Sequence, residues 1–507
     1  MNTYYTSVLD IRGQVFTEVA KLAYEGGDYS RIEGIPFTII PGEVATYRES
    51  VFLERAIIGE RLRLAIGLPI RSAAEQAPLS YGIEESAISE KYYDPPLVNI
   101  IKFACHSCPE KRVEITNLCQ GCLAHPCIQS CPKNAIKMKK GQSKIDQDAC
   151  VKCGMCVTEC PYNAIVEIAR PCAKICGVNA IESDELGRAD INYDKCVSCG
   201  MCLVNCPFGA IADKGQIFQL VHALKEKKDV YAIVAPAFVG QFGDKMTDGK
   251  LRSIMKELGF VDTIEVGIGA DLCTLDEAKE FVEKVPHELP FMATSCCPSW
   301  SVMAKTEFPD FAPYISMSLT PMVLTARLVK REHPDCKIAF IGPCSAKKLE
   351  ASRRTIRSDV DFVLTFEELM GMINAKEIDM ENIEEEKPFE GATALGRGFA
   401  VSGGVANAVV NEVKVIDPSR EVRVVTAEGL DNCMKMLKNA QTGKYNGYLL
   451  EGMACPGGCI GGAGNLVGGD QKFIKKSLKK VSQYASSAKL KSAEDSEYKK
   501  HLDLLQK

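Results

Sequence analysis

Sixteen of the chain's 24 cysteines fall between residues 105 and 206, and this crowding constrains the fold more than any other feature. Thiols so dense are used as disulfides, as zinc ligands or as iron-sulfur ligands. The 507-residue chain opens Met1-Asn2-Thr3-Tyr4-Tyr5-Thr6-Ser7, with no basic segment leading into an apolar one and no twin arginine, so no export signal supports disulfides. Zinc takes CxxC pairs as well. However, Cys150, Cys153, Cys156, Cys160-Pro161 and Cys196, Cys199, Cys202, Cys206-Pro207 both follow C-x2-C-x2-C-x3-C-P, and that close spacing with its Cys-Pro ending favours iron-sulfur clusters. An internal repeat frames these runs: Cys131-Pro-Lys-Asn-Ala-Ile136, Cys160-Pro-Tyr-Asn-Ala-Ile165, Cys176-Gly-Val-Asn-Ala-Ile181 and Cys206-Pro-Phe-Gly-Ala-Ile211. The separations of 29, 16 and 30 residues group them as two tandem pairs.

The length predicts about three or four domains. Residues 1-100 hold no cysteine and show a helical pattern at Val51–Ile58, a domain whose role is not readable. Pro95-Pro96 marks the boundary before the 101-215 cysteine-rich domain. From 216 to 470 strand-like runs at 230-235, 337-341, 361-365, 422-426 and 447-450 alternate with helical stretches at 275-284, 320-331 and 429-439, an α/β region. Residues 471-507 form a lysine-rich helical tail, expected to be solvated. With 46% hydrophobic residues, 25% charged and net charge −5, the chain has no global nucleic-acid footprint, and any acidic partner would need a local basic patch. No apolar run reaches 18 residues, so no membrane segment is expected. The expectation is a cytoplasmic protein suited to anaerobic surroundings.

The paired repeats resemble bacterial two-cluster ferredoxins, in which three cysteines of one half share a cluster with the fourth cysteine of the other. That resemblance implies quartets Cys119, Cys122, Cys127, Cys160; Cys150, Cys153, Cys156, Cys131; and Cys196, Cys199, Cys202, Cys176. Cys172 and Cys206 are left short of partners and Cys105 and Cys108 stand upstream, so a fourth quartet follows by counting. His106 and His125, among these cysteines, are expected to be satisfied or solvated rather than ligands.

Three further patches follow in order. Thr294-Ser295-Cys296-Cys297-Pro298-Ser299-Trp300, Gly342-Pro343-Cys344-Ser345-Ala346-Lys347-Lys348-Leu349-Glu350 and Glu451-Gly452-Met453-Ala454-Cys455-Pro456-Gly457-Gly458-Cys459 resemble the three signature loops of FeFe-hydrogenases. The resemblance implies tandem ferredoxin-like modules followed by an α/β catalytic domain that reversibly reduces protons to H2. It further implies that Cys297, Cys344, Cys455 and Cys459 hold the 4Fe-4S cubane of an H-cluster. Cys459 would bridge to a two-iron subcluster carrying CO, CN and azadithiolate, and three to four accessory 4Fe-4S clusters would feed it.

By the same resemblance Lys347 faces a cyanide, with Glu350 orienting it or joining a proton route, while Lys348 is read as an exposed lysine. Ala235, Pro236 and Met453 pack around the two-iron unit. Gly457 and Gly458 let backbone approach the cluster. Cys296, a non-ligand thiol, is the inner proton carrier. Glu277 and Glu280 share one helix face further out, with Ser316 or Ser318 as the connection. Gly342 replaces a common methionine and Ala237 a common serine, which removes side chains near the cluster. Implied partners are H2 and protons, ferredoxin or a similar soluble carrier, and hydrogenase maturation proteins. No Walker loop or dinucleotide fingerprint appears. The alternatives are a hydrogen-sensing protein or an iron-sulfur scaffold without efficient turnover. Cys273, Cys336 and Cys433 are expected to be buried structural thiols.

Overall fold

The computed structural model describes residues 7–353 and 358–505. The opening six residues, on which the reading of the N-terminus rests, lie outside the described residues.

The α/β region is built on two parallel sheets. The larger has the order Thr263–Glu265, Val230–Val234, Lys337–Ile341, Phe362–Leu364, and the smaller Met292–Ala293, Tyr448–Met453, Arg423–Glu428. Parallel strands covered on both faces are apolar at every position, and period two then decides which neighbour each residue meets. Val230, Ala232, Val234, Ala339, Ile341, Phe362 and Leu364 join one core, whereas Ile233, Ile338, Phe340 and Val363 join another beneath the helix Pro321–Glu332. The helix Gly267–Lys284 crosses the second region and carries Asp271, Asp276, Glu277 and Glu280.

Residues before 100 fill the first of these cores. The helix Ser7–Glu25 buries Val15, Phe16, Val19, Leu22 and Ala23, a stripe at helical spacing, in the same cluster as strand residues Val234 and Leu364. It lies so close to the helix Phe366–Ala375 that a Cβ on Gly371 would sit 2.6 Å from that of Phe16. The tail differs from its expected solvated state. In Gln471–Ser486, Ile474, Val481 and Ala485 are buried, and Tyr484 lies edge-on to Phe238 and donates to Glu265 at 2.9 Å. Its lysines occupy the remaining face.

The cysteine-rich region holds four two-stranded antiparallel ladders. Arg112–Ile115 pairs with Ile165–Ile168 around the hairpin Ile136–Lys139/Gln142–Ile145. Val98–Ile100 pairs with Ile211–Asp213 around the hairpin Ile181–Ser183/Ala189–Ile191. Each module is an outer ladder enclosing a hairpin, so the two have the same plan. They are nested: the first module is inserted into the second just after Cys105 and Cys108, which therefore belong to the second module although they precede the first.

Candidate functional site

The four-fold repeat has one local geometry. Asn134, Asn163, Asn179 and Gly209, each three residues after its cysteine, adopt φ of 50°, 49°, 50° and 57°. Asn and Gly reach this left-handed conformation at least cost. The turn brings the following alanine N–H back onto the thiol: Ala135, Ala164, Ala180 and Ala210 donate to the Sγ of Cys131, Cys160, Cys176 and Cys206 at 3.2, 3.4, 3.3 and 3.3 Å. A backbone amide on a thiolate is one of the means by which a protein holds and tunes a cluster ligand.

Three predicted quartets line three separate cavities. One holds Cys119, Cys122, Cys127 and Cys160; a second Cys131, Cys150, Cys153 and Cys156; a third Cys105, Cys108, Cys172 and Cys206. The last is the set reached by counting, and module nesting is its physical cause. The remaining thiols, Cys176, Cys196, Cys199 and Cys202, act on one another electrostatically, and burial pushes Cys199 up to about 12. Among the described residues no three His, Cys, Asp or Glu side chains converge as a single metal ion requires. Cavities walled by four thiols suit a larger inorganic group. His106 stacks on Phe208 at 4.4 Å, whereas the Nδ1 of His125 is buried without a partner.

The sites form a series. Cys199 is raised in part by Cys297 and Cys202 in part by Cys172, so the Cys176/196/199/202 set lies between the signature loops and the Cys105/108/172/206 set. The ladder Arg112–Ile115/Ile165–Ile168 then has Cys108 and Cys172 beyond one end and Cys119 and Cys160 beyond the other. Cys119, Cys122, Cys127 and Cys160 thus stand furthest from the loops.

All three signature loops leave carboxyl ends of parallel strands, where α/β folds build their sites. Thr294 to Pro298 follows Ala293, Gly342 to Lys347 follows Ile341, and Ala454 to Cys459 follows Met453, while Ala235-Pro236 follows Val234. Cys297, Cys344, Cys455 and Cys459 meet there. Burial raises each thiol, Cys344 to about 11 and Cys459 to about 12, and each of these two is raised further by Cys297. Each keeps part of its surface accessible, whereas Cys273, Cys336 and Cys433 are buried. Met453 packs with Cys296 and Cys297 in one cluster.

The loop glycines serve protein packing as well as cofactor access. A Cβ on Gly452 would lie 2.2 Å from the Trp300 indole, one on Gly462 2.4 Å from Pro343 O, and one on Gly458 2.6 Å from Ser402 N. Gly457, at φ +73°, faces Ile474. These positions let the third loop close on the first and second. Glu451 pins its base by accepting from Gly403 N and Ala406 N, both at 2.7 Å. A Cβ on Gly342 would lie 2.6 Å from the Phe340 ring. Phe340 occupies the space from the same strand.

Lys347 Nζ lies 2.6 Å from Glu350 Oε2 and 3.4 Å from Cys296 O, while Thr320 Oγ1 donates to Glu350 Oε1 at 2.7 Å. Glu350 therefore orients the lysine. Burial alone would lower Lys347, but Glu350, Cys344 and Cys296 outweigh it and hold the amine charged. Thr320, absent from the sequence reading, opens a helix ahead of Pro321, and that Thr-Pro start was its visible signal. Lys348 is not exposed. It is 1% accessible and pairs with Asp213 at 2.9 Å and Glu368 at 3.0 Å, and Ser345, beside Cys344, also donates to Asp213.

Behind Cys296 runs a line of acids and hydroxyls. Burial raises the Cys296 thiol well above its ordinary value, and Glu277 raises it further. Glu277 accepts from Ser295 N at 3.3 Å, its Oε2 has no partner, and burial pushes it up to about 8 against the lowering contacts of Ser295 and Ser316. Ser316 Oγ donates to Glu280 Oε2 at 3.1 Å, and Glu280 pairs with half-buried Lys284 at 2.8 Å. Ser318 turns instead to Asp276, so Ser316 is the hydroxyl between the two glutamates.

Comparison with known proteins agrees with this geometry. Residues 228–463 match the family described as iron only hydrogenase large subunit, C-terminal domain. The chain is FeFe-hydrogenase-like. Its modules match a 4Fe-4S binding domain at 143–166 and the LdpA Fe-S cluster-binding domain at 167–217, so iron-sulfur clusters are its cofactors. Iron hydrogenase 1 of Clostridium pasteurianum is 28% identical over 443 residues, 76% of each chain. The NADP-reducing hydrogenase subunit HndD of Solidesulfovibrio fructosivorans is 27% identical over 392 residues, 65% of this chain and 66% of its own. Protein NAR1 of Arabidopsis thaliana is 25% identical over 344 residues, 52% of this chain and 72% of its own. Among the described residues no helix is long and apolar enough to cross a membrane.

Proposed function

We propose that this chain reversibly reduces protons to H2 at an H-cluster held by Cys297, Cys344, Cys455 and Cys459, with electrons arriving through four 4Fe-4S clusters from a ferredoxin-type carrier. The observation that carries the reading is the meeting of those four thiols beside Cys296, a fifth thiol backed by a buried acid relay. The residues fit such a group: four partly accessible thiols meet, a charged lysine stands beside them, and the Oε2 of Glu277 lacks a partner. When bound, the H-cluster supplies the iron at which electrons and protons combine.

The chain's own part is to deliver both. A proton entering at Glu280 passes through Ser316 Oγ to Glu277, which holds it at neutral pH, and Cys296 Sγ presents it in the pocket. Matching pKa to operating pH makes a carboxyl near 8 an effective relay member. Lys347, fixed by Glu350 and Thr320, keeps a cation at the pocket wall for anionic ligands such as cyanide. Cys176, Cys196, Cys199 and Cys202, next to Cys297 and Cys455, would hold the 4Fe-4S cluster that supplies electrons to the site. Expression in a reducing, oxygen-poor cytoplasm with hydrogenase maturation proteins supplies the assembled site.

A second reading, an iron-sulfur assembly factor, draws on the similarity to Protein NAR1. Infrared spectroscopy of anaerobically matured protein decides between them, together with an H2 assay driven by a reduced low-potential dye. Bands of bound carbon monoxide and cyanide with H2 release are expected. Their absence after full maturation would leave the assembly factor as the surviving reading.

A further inference from the structure

The stretch 133–152 carries Lys133, Lys137, Lys139, Lys140, Lys144 and Lys152 against only Asp146 and Asp148, in a chain of net charge −5. All six lysines are exposed, and among the described residues none takes part in an ion pair. The hairpin register sets Lys137 directly opposite Lys144, a like-charge pairing that works against the hairpin. Its two-residue turn, Lys140-Gly141, has φ of 51° and 78° and leaves Lys139 and Lys140 at the tip.

That tip lies against the outermost cluster site. A Cβ on Gly121, between Cys119 and Cys122, would fall 2.1 Å from Gly141 O, and Ser143 of the same hairpin is 3.6 Å from the Cys127 thiol. Around the same site Leu118, Leu123 and Tyr162 are 57%, 95% and 51% exposed, although burial is the usual fate of such side chains. The surface therefore sets an apolar patch beside the Cys119/122/127/160 site next to the unpaired cations of the hairpin. Small transient electron-transfer interfaces use that combination, with charge guiding encounter and a limited apolar contact setting the distance.

We propose that this face is the docking surface for an acidic electron-carrier protein. The reduced carrier loses one electron, and the cluster held by Cys119, Cys122, Cys127 and Cys160 gains it. The inference rests on the iron-sulfur relay reading above. A nucleic acid or an anionic membrane could use the lysines, but neither accounts for their position over a redox site.

The probe is an acidic two-cluster bacterial ferredoxin, and its binding to the cluster-loaded protein is measured by calorimetry between about 20 and about 300 mM salt. The test variant is Lys137→Glu with Lys139→Glu. The first of these changes replaces the like-charge pairing across from Lys144 with an opposite-charge one, so folding is supported, and a thermal melt checks it. Wild-type binding is expected to weaken at least about tenfold with salt. The variant should bind at least about tenfold more weakly at low salt and lose most of that dependence, while dye-driven H2 formation is unchanged. Equal affinity of variant and wild type overturns the proposal, as does binding of an oligonucleotide or anionic vesicles at this face without ferredoxin. Ferredoxin binding that behaves as expected without any dye-driven H2 would sink the hydrogenase reading and leave the docking surface standing.

Discussion

The cysteine-rich modules, proposed as an electron relay, and the signature-loop pocket, proposed as catalytic, present the same ligand atom and assemble it in opposite ways. In the relay each thiol belongs to a short repeat whose Asn or Gly turn and alanine amide shape the site within a few residues. In the pocket the thiols come from three loops on two sheets, and nothing near Cys344 in sequence specifies that Cys455 will stand beside it. The difference extends to surroundings. Cys153 of the relay is exposed, while the pocket is walled by buried charge: Lys347 with Glu350, and Lys348 with Asp213 and Glu368. Locally built sites can be replaced one at a time. A site built by the whole fold fails as a unit.

Substitution should separate the two most sharply at the ligands. Cys344→Ala is expected to lower both dye-driven and carrier-driven H2 formation about a thousandfold or more, a loss of ~4 kcal/mol or more in transition-state stabilisation. Cys153→Ser should slow carrier-driven turnover and spare the dye-driven rate. Equal losses in both assays for Cys153→Ser would mean that the relay is not a separable unit. Buried charge gives the next largest contrast. Lys348→Met strands Asp213 and Glu368 in the interior and should cost about 3–5 kcal/mol in denaturant unfolding. In the relay, Lys102 pairs with Asp190 at 2.8 Å, but its side chain keeps 33% of its surface exposed and that of Asp190 56%, and Lys102→Met should cost less than about 1 kcal/mol. Similar losses at the two sites would show that the Lys348 network does not act as an interior charge cluster.

Cys296→Ala tests the pocket from within. The variant should keep the infrared bands of the bound cofactor and lose about a hundredfold or more in turnover, the range of a positioned proton carrier. Turnover near wild type would remove Cys296 from the relay.

How much of this was legible in the sequence follows from the same contrast. The resemblance of the repeats to two-cluster ferredoxins led to three relay quartets, and counting led to the fourth, but the reason for the fourth, a module inserted after Cys108, is a long-range pairing of Val98–Ile100 with Ile211–Asp213 that no local pattern announces. Strands at 230-235 and 337-341 were readable because buried parallel strands are continuous apolar runs; Thr263–Glu265 and Met292–Ala293 are too short to stand out. Lys348 was misread because a lysine beside another on a short helix looks solvated until Asp213 and Glu368 arrive from elsewhere in the chain. Phe340 filling the space beside Gly342 is likewise a packing fact, set by strand geometry rather than by motif. The choice between Ser316 and Ser318 needed the positions of both glutamates.

The smallest expected effect concerns Glu277 and marks the pocket as a place where burial governs protonation. The folded chain holds this proton up to about pH 8, because burial disfavours the carboxylate, whereas the ordinary value is 4.5. Between those limits the folded state binds the proton and the unfolded state has released it. Stability is therefore lost as pH rises, at up to about 1.4 kcal/mol per pH unit from this group. Glu277→Gln, which keeps the shape without the titration, should remove that contribution and flatten the decline measured by denaturant unfolding of the cofactor-free protein between about pH 5.5 and pH 7.5. If Glu277→Gln retains the wild-type slope, Glu277 is already ionised at neutral pH, and the proton presented to Cys296 must come from another group.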